Sequence, residues 1–440
     1  MTIIQEPDAA LKKILRGQKL QPDVNYVPSQ FAFPFDHNGK HYIYNTLTKQ
    51  CVETELPMSA GIGEGADELI EGYFLVPEGK DECALYESVS TLMRTYSRKK
   101  EIVGYTILPT LACNARCVYC YEEGMKQVTM TPETVERTIA FICENHGEEK
   151  VQLGWFGGEP LLRPDIIDRI CQGLREANVD YESGMISNAS LITPEIVEKM
   201  TGDWRLGHIQ VSMDGTEREY IRRKRYYSYR DEYHAVMERV SMMTEAGIGV
   251  TIRCNVDGEN WPGIPEFLSD LKEGIPNREK VELYFCPLND VRHSEQCGDI
   301  WTKIMDYRPE ILRAGFRTSG FYSTGRRFRV NHCMADTGSV VIAPDGSLYP
   351  CEHCPPEARY GDISHGVTDE AARKAFCSVG KTREKCRNCV FLPECTSFSN
   401  CPIQDTHCKV VRRMVEMVML NGLLERKTDP EETAAQGSIC

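Results

Sequence analysis

The chain has 440 residues, with 51 Lys and Arg against 65 Asp and Glu, a formal net charge of −14. Its 41% hydrophobic and 26% charged residues exclude a disordered, collagen-like or coiled-coil chain. The acidic balance repels phosphate and argues against binding nucleic acid or a membrane surface. No run of about 18 apolar residues offers a membrane span. The N-terminus, MTIIQEPDAALKK, lacks the basic start and apolar core of a secretory signal, which predicts a cytoplasmic protein. The outlier is cysteine, at 20 residues. Cytoplasmic thiols stay reduced, so their number points to metal ligation instead of a disulfide framework.

At about 150 residues per domain the length predicts two to three domains. Residues 1–100 read as a small separate unit. FAFPF, KHYIYN (40–45) and KQCVET (49–54) are short strands of a β-meander. PMSAGIGEGADE (57–68) reads as a loop. A helix from about Glu82 to Lys99 places Leu85, Val89, Leu92, Met93 and Tyr96 on one face. From about 101 to 290 strands and helices alternate. The strands are VGYTILPT (103–110), VQLGWFGG (151–158), GMISN (184–188), HIQVSMDG (208–215), GVTIRCNVD (249–257) and VELYFCP (281–287). Two intervening helices open on Thr-Pro-Glu, at Thr131 and Thr193, with Pro at the first helical position. About six such units predict a parallel sheet with ligands at its carboxyl edge. After about 320 the alternation stops. Residues 333–408 hold nine of the twenty cysteines, which predicts a loop-rich unit held by metal, followed by one helix to about Leu424 and a polar tail.

Residues 109–122 read PTLACNARCVYCYE, giving Cys113-x3-Cys117-x2-Cys120 just after the first strand of the alternating region. Three thiolates suit three irons of a [4Fe–4S] cubane and leave the fourth iron open. A structural zinc site closes with four protein ligands.

This spacing resembles the radical S-adenosylmethionine (radical SAM) superfamily. Gly157, Gly158, Glu159 and Pro160 match its GGEP motif, Ser187 and Asn188 its Thr/Ser-Asn position. Ser212–Gly215 (SMDG) and Arg253–Asn255 (RCN) match motifs at later strand ends. The resemblance covers about 101–290 and implies an α/β fold, a partial (β/α)6 barrel. It implies that the open iron chelates S-adenosyl-L-methionine. GGEP would lie beside the amino group, with Glu159 facing it, and Asn188, Ser212, Asp214 and Arg253 would be further cofactor partners. The reduced cluster would then generate a 5′-deoxyadenosyl radical that abstracts hydrogen from substrate.

The C-terminal order is Cys333, Gly346-x4-Cys351, then Cys386-x2-Cys389-x5-Cys395-x5-Cys401-x6-Cys408. It resembles the SPASM extension of peptide-modifying radical SAM enzymes, with VIAPDGSLYPCEH (341–353) as its central hairpin. The interval before Cys401 is five residues where that family has three. The resemblance implies two auxiliary [4Fe–4S] clusters. One would take Cys386, Cys389, Cys395 and Cys408, the other Cys333, Cys351 and Cys401. The fourth place at the latter belongs to Cys354 or to an open iron that binds a substrate thiolate. On thiolate runs alone, two structural zinc sites are the alternative. The other thiols, Cys286 among them, default to packing.

Glu352 matches the position of an acidic residue in related sulfatase-maturating enzymes and is the candidate base. The basic, aromatic run 216–231, with Arg222, Arg223, Lys224 and Arg225, is either a solvated face or a receiver for an acidic leader peptide. KHYIYNTLTKQCVE (40–53) and GYFLVPEGKDE (72–82) resemble the opening of peptide maturases, a winged-helix-like module that takes a leader peptide as an added strand.

These readings predict three parts: a leader-recognition (RRE-like) domain over 1–100, the partial barrel over 101–320 and the SPASM domain over 321–440. The expected activity is a radical SAM peptide maturase that installs a Cys thioether in a ribosomal precursor peptide. The alternatives are a carbon–carbon or carbon–oxygen crosslink, formylglycine formation in a sulfatase, and, from another class, a zinc-stabilised peptide-binding adaptor. The expected partners are a precursor peptide with its leader and an electron donor such as flavodoxin or ferredoxin.

Overall fold

The structure, a computed structural model, describes residues 1–15, 17–37, 39–54, 66–97, 102–228, 232–288, 297–318, 328, 338–377, 384–395 and 415. The expected helix to Leu424 and the polar tail therefore lie outside the described residues, apart from Val415.

The N-terminal unit contains strands β1 (Thr2–Gln5), β2 (Tyr26–Pro28), β3 (Ala32–His37), β4 (Lys40–Asn45), β5 (Cys51–Thr54) and β6 (Leu75–Pro77). Helices α1 (Ala9–Leu15), α2 (Ala66–Glu71) and α3 (Glu82–Ser97) join them. The expected meander is present as β3–β4–β5, and β1 completes a four-stranded sheet in the order β1-β5-β4-β3. Alternation along β4 buries both faces: Tyr42 and Tyr44 pack with Phe33 and Cys51, while Ile43 packs with Val52 and Phe74. Along α3, Val89 is buried, but Leu92 stays 38% exposed because it falls at the margin of the apolar stripe.

Six parallel strands follow: β7 (Gly104–Ile107), β8 (Val151–Trp155), β9 (Tyr181–Ser187), β10 (Leu206–Ser212), β11 (Gly249–Val256) and β12 (Val281–Pro287). The helices between them are α4 (Pro132–Asn145), α5 (Pro164–Glu176), α6 (Pro194–Thr201), α7 (Glu217–Lys224), α8 (Glu232–Glu245) and α9 (Ile264–Gly274). Thr131 caps α4 by accepting from Thr134 N, and Thr193 caps α6 by accepting from Ile196 N, with Pro next in each case. One strand face packs on the helices through Ile107, Trp155, Met185, Ile209, Val211, Ile252 and Leu283.

The sheet does not end where the alternation does. β13 (Ser339–Ile342) pairs parallel with β7, and β14 (Ser347–Tyr349), β15 (Gly361–Asp362) and β16 (Gly366–Val367) extend it antiparallel to ten strands. Val340, Ile342, Leu348 and Ile363 belong to the same core as the barrel helices. The cysteine hairpin is therefore continuous with the barrel sheet across the 320/321 sequence boundary. No helix among the described residues is long and apolar enough to cross a membrane.

Candidate active site

The three-cysteine loop leaves the carboxyl end of β7. It is pinned at one end by a bridge between Thr110 and Thr129 and at the other by the carboxyl end of α7. Arg116 N donates to Lys224 O at 3.0 Å and Val118 N to Arg223 O at 2.9 Å. Cys113, Cys117 and Cys120 are half-buried and close enough for Cys113 to feel both other thiols. Burial pushes the Cys113 thiol up to about 12 and raises Cys117 and Cys120 as well. Among the described residues no three His, Cys, Asp or Glu gather as a single metal ion would need. Three thiols on one loop can serve three irons of a cubane and leave the fourth without a ligand from that loop.

The glycines of GGEP are dictated by close approach. Gly157 has φ +109°, and a Cβ there would meet Thr110 O at 2.4 Å. A Cβ on Gly158 would meet Ala112 O at 2.3 Å. The chain lies against the cysteine loop here, with Gly158 N donating to Thr110 O at 3.1 Å and Glu159 N to Ala112 O at 2.9 Å. Glu159 is fully buried beside Pro160. Its oxygens accept from Asn188 N and Ser187 Oγ, both at 2.9 Å, and from Leu161 N at 3.1 Å. Burial raises the Glu159 carboxyl despite these donors. Glu159 thus braces the end of β9. Asn188 donates to Asn114 Oδ1 at 2.9 Å and stands 4.0 Å from Cys113 Sγ.

The end of β10 carries a buried ion pair that the sequence reading missed. Lys224 is 1% exposed, and its Nζ lies 3.1 Å from Asp214 Oδ2, donating also to Ser212 Oγ at 2.6 Å and Tyr119 OH at 2.9 Å. Tyr119 donates to Asp214 Oδ2, and Asp214 Oδ1 accepts from Asn255 N and Nδ2, both at 3.0 Å. Burial opposes the Lys224 charge, but Asp214, Tyr119 and Cys117 hold its ammonium well above the ordinary lysine value. Arg223, also 1% exposed, pairs with Asp257 at 2.7 Å and with Glu219. Half of the supposed surface charge run is therefore interior. On the rung beside Ser212, Arg253 donates to Asn255 Oδ1 at 3.1 Å and to Cys286 Sγ at 3.3 Å.

Residues 107–271 match the family model described as the radical SAM superfamily. The chain is an enzyme that carries a radical SAM superfamily domain. It is 20% identical over 318 residues to an AdoMet-dependent heme synthase of Methanosarcina barkeri, spanning 64% of this chain and 88% of the relative. It is 22% identical over 263 residues to the antilisterial bacteriocin subtilosin biosynthesis protein AlbA of Bacillus subtilis, spanning 58% of this chain and 56% of AlbA. Two solved structures share its fold. Native anSMEcpe with bound AdoMet has a TM-score of 0.59 at 17% identity over 73% of this chain and 98% of its own. Streptococcus suis SuiB bound to precursor peptide SuiA has 0.54 at 13% over 88% of this chain and all of its own. The superfamily binds a [4Fe–4S] cluster and S-adenosylmethionine, and the enzymatic assignment removes the zinc adaptor.

Farther along the chain, Cys354 N donates to Cys351 O at 3.1 Å and His353 N to Cys351 Sγ at 3.4 Å. Glu352 Oε2 lies 3.5 Å from Cys351 Sγ and Glu352 Oε1 3.8 Å from His353 Nε2. The ring of His353 meets Tyr121, next to Cys120, with centroids 4.2 Å apart. Cys386, Cys389 and Cys395 sit half-buried on successive tight turns. Cys333, Cys401 and Cys408 lie outside the described residues.

Proposed function

We propose that the enzyme is a peptide maturase that crosslinks a ribosomally made precursor, with a Cys thioether as the bond formed. The observation that carries this reading is the Tyr121–His353 contact, which sets Cys351, Cys354 and Glu352 against the radical-cluster loop. AlbA by its name serves bacteriocin biosynthesis, and SuiB was solved with its precursor peptide, which supports a peptide substrate. On this reading Cys113, Cys117 and Cys120 hold the catalytic cluster, and the described thiols Cys351, Cys354, Cys386, Cys389 and Cys395 belong to two auxiliary clusters of a SPASM domain. Cys333, Cys401 and Cys408 complete that proposed set.

When bound, the cluster and S-adenosylmethionine supply a 5′-deoxyadenosyl radical that removes a substrate hydrogen. The chain's own residues do the rest. Gly157 and Gly158 let the backbone approach the cysteine loop, Asn188, Ser212 and Arg253 present polar groups to the cofactor, and Asp214 fixes Tyr119 within that loop. Glu352 takes the proton of the substrate thiol at its carboxylate, and an auxiliary cluster held by the C-terminal cysteines would accept the electron released as the carbon–sulfur bond closes. The N-terminal unit receives the leader, and a cytoplasmic flavodoxin or ferredoxin supplies electrons.

The test is anaerobic incubation with S-adenosylmethionine, dithionite and a Cys-containing candidate precursor peptide. Loss of two hydrogen atoms from a Cys-containing peptide, abolished by Cys113→Ala, is the expected result. Iron should approach ~12 per chain and fall to ~8 in Cys113→Ala/Cys117→Ala/Cys120→Ala. A Cys-to-formylglycine mass change would replace the crosslink reading with sulfatase maturation.

A further inference from the structure

The segment 384–395 has little secondary structure of its own. It consists of two three-residue 3-10 turns, Glu384–Cys386 and Leu392–Glu394, joined by i→i+3 bonds from Cys389 N to Cys386 O and from Leu392 N to Cys389 O. Its fixed geometry comes from the N-terminal unit, more than 300 residues away in sequence. Gln30 Nε2 donates to Arg387 O at 3.0 Å and Thr46 Oγ1 to Val390 O at 2.5 Å. Phe391 packs edge-on against Phe33 at 5.1 Å in a cluster with Tyr42, Tyr44 and Cys51, and Cys389 and Cys395 pack against that cluster.

The polar centre of this contact is buried. Lys49, 1% exposed and with φ +66°, sends its ammonium to Glu394 Oε1 at 2.7 Å and to Pro393 O at 3.4 Å. Tyr44 OH donates to the same carboxylate oxygen at 2.7 Å. A non-glycine residue in the left-handed region is strained unless its surroundings hold it there. Lys49 is held by Gln5, which donates to its carbonyl, and by its own N–H to Asn45 O at 2.8 Å.

We propose that the N-terminal sheet is a built-in scaffold of the C-terminal cysteine site, with Lys49 and Tyr44 gripping Glu394 to position Cys389 and Cys395 for ligation. The inference rests on the reading that Cys386, Cys389 and Cys395 hold an auxiliary iron–sulfur cluster. The reason is geometric: the buried Lys49 ammonium and the Tyr44 hydroxyl hold the Glu394 carboxylate, and with it the turn that carries Cys395. Without Lys49 that carboxylate keeps Tyr44 but loses its buried counter-charge, and the turn is no longer held against the sheet. Lys49 is accordingly a positioning residue, and the N-terminal unit is not a detachable recognition module.

The experiment compares wild type, Cys389→Ala, Lys49→Met, Lys49→Met/Glu394→Gln and Thr46→Val as full-length, anaerobically reconstituted proteins. It measures iron per chain and the rate of iron release to a ferrous chelator. The change in the barrel-cluster EPR spectrum on adding S-adenosylmethionine monitors folding of the barrel. Cys389→Ala should lower iron. Lys49→Met should release that same iron about ten-fold faster with the barrel signal intact, and Glu394→Gln in the double variant should restore most of the wild-type rate. Thr46→Val should accelerate release by a smaller factor, and it carries the test if Lys49→Met does not fold. Unchanged release in both Lys49→Met and Thr46→Val, with iron lost in Cys389→Ala, overturns the scaffold inference. Undiminished iron in Cys389→Ala overturns the auxiliary-cluster reading, and the inference falls with it.

Discussion

Lys224→Met tests whether the buried pair at the end of β10 holds the cysteine loop. At the 3.1 Å separation from Asp214, and an effective dielectric of about 20, the Coulomb attraction is about 5 kcal/mol. Most of that offsets the desolvation of two buried charges, so the net value of the intact pair is small. Removing one partner is different: it leaves Asp214 charged in the interior with only Tyr119 and Asn255 to solvate it. That costs about 3–5 kcal/mol. Urea unfolding of the barrel, followed by tryptophan fluorescence to which the buried Trp155 and Trp204 contribute, should show this loss with little change in the denaturant slope. The Lys224→Met/Asp214→Asn double variant removes both charges and should recover at least about 2 kcal/mol as a coupling energy. A loss under about 1 kcal/mol in Lys224→Met, or additivity in the double variant, would refute the argument.

Gly158→Ala should sharply reduce cluster retention and S-adenosylmethionine binding, measured by iron analysis and calorimetry, because its Cβ meets Ala112 O at 2.3 Å. Gly154→Ala is the contrasting control: its Cβ would approach nothing closer than Thr106 Oγ1 at 3.4 Å, so binding should be retained. His208, bonded to Thr251 at 2.8 Å, has its pKa lowered by burial. The unfolded chain therefore takes up its proton first, and stability falls as pH drops from about 6.5. His208→Gln should flatten that acid limb in urea titrations at pH 7.5 and 5.5. Thr131→Ala removes the side-chain cap of α4 and should cost about 1 kcal/mol in thermal or denaturant unfolding.

The six barrel units were legible because apolar runs, Thr-Pro-Glu starts and short loops agree with one another along 103–287. The GGEP glycines were legible as a motif, but the motif did not tell how Glu159 is used. Its role follows from Asn188 N and Ser187 Oγ arriving from a strand end that is remote in sequence. The run 216–231 misled for a related reason. Charge density along a chain reports exposure only when no partner lies opposite, and Asp214 and Asp257 lie opposite Lys224 and Arg223. Tyr119, between Cys117 and Cys120, was the available signal: a phenol that close to the cysteine motif needs a partner once buried. The joining of β13 to β7 left no local trace, since a four-residue strand reads alike in a hairpin or at the edge of a barrel sheet.

The strands themselves carry a functional signal in their burial rhythm. Parallel strands covered on both faces are continuously apolar. Here β9 alternates buried and open positions, and β10 and β12 do so over most of their length, although all three are parallel strands. The helix-side positions supply the core, while the opposite face presents Gln152, Gln210, Thr251 and Tyr284, with Tyr284 donating to Gln210 Oε1 at 2.8 Å. Adjacent rungs bring Ser212 beside Arg253 and Asn255 beside Cys286. A polar inner face is costly in a closed, filled barrel, where each buried group needs a partner. It is economical only where the sheet stays open to something polar. The alternation therefore leaves the face opposite the helices lined by polar side chains, and the proposed cofactor partners Ser212 and Arg253 stand on that face.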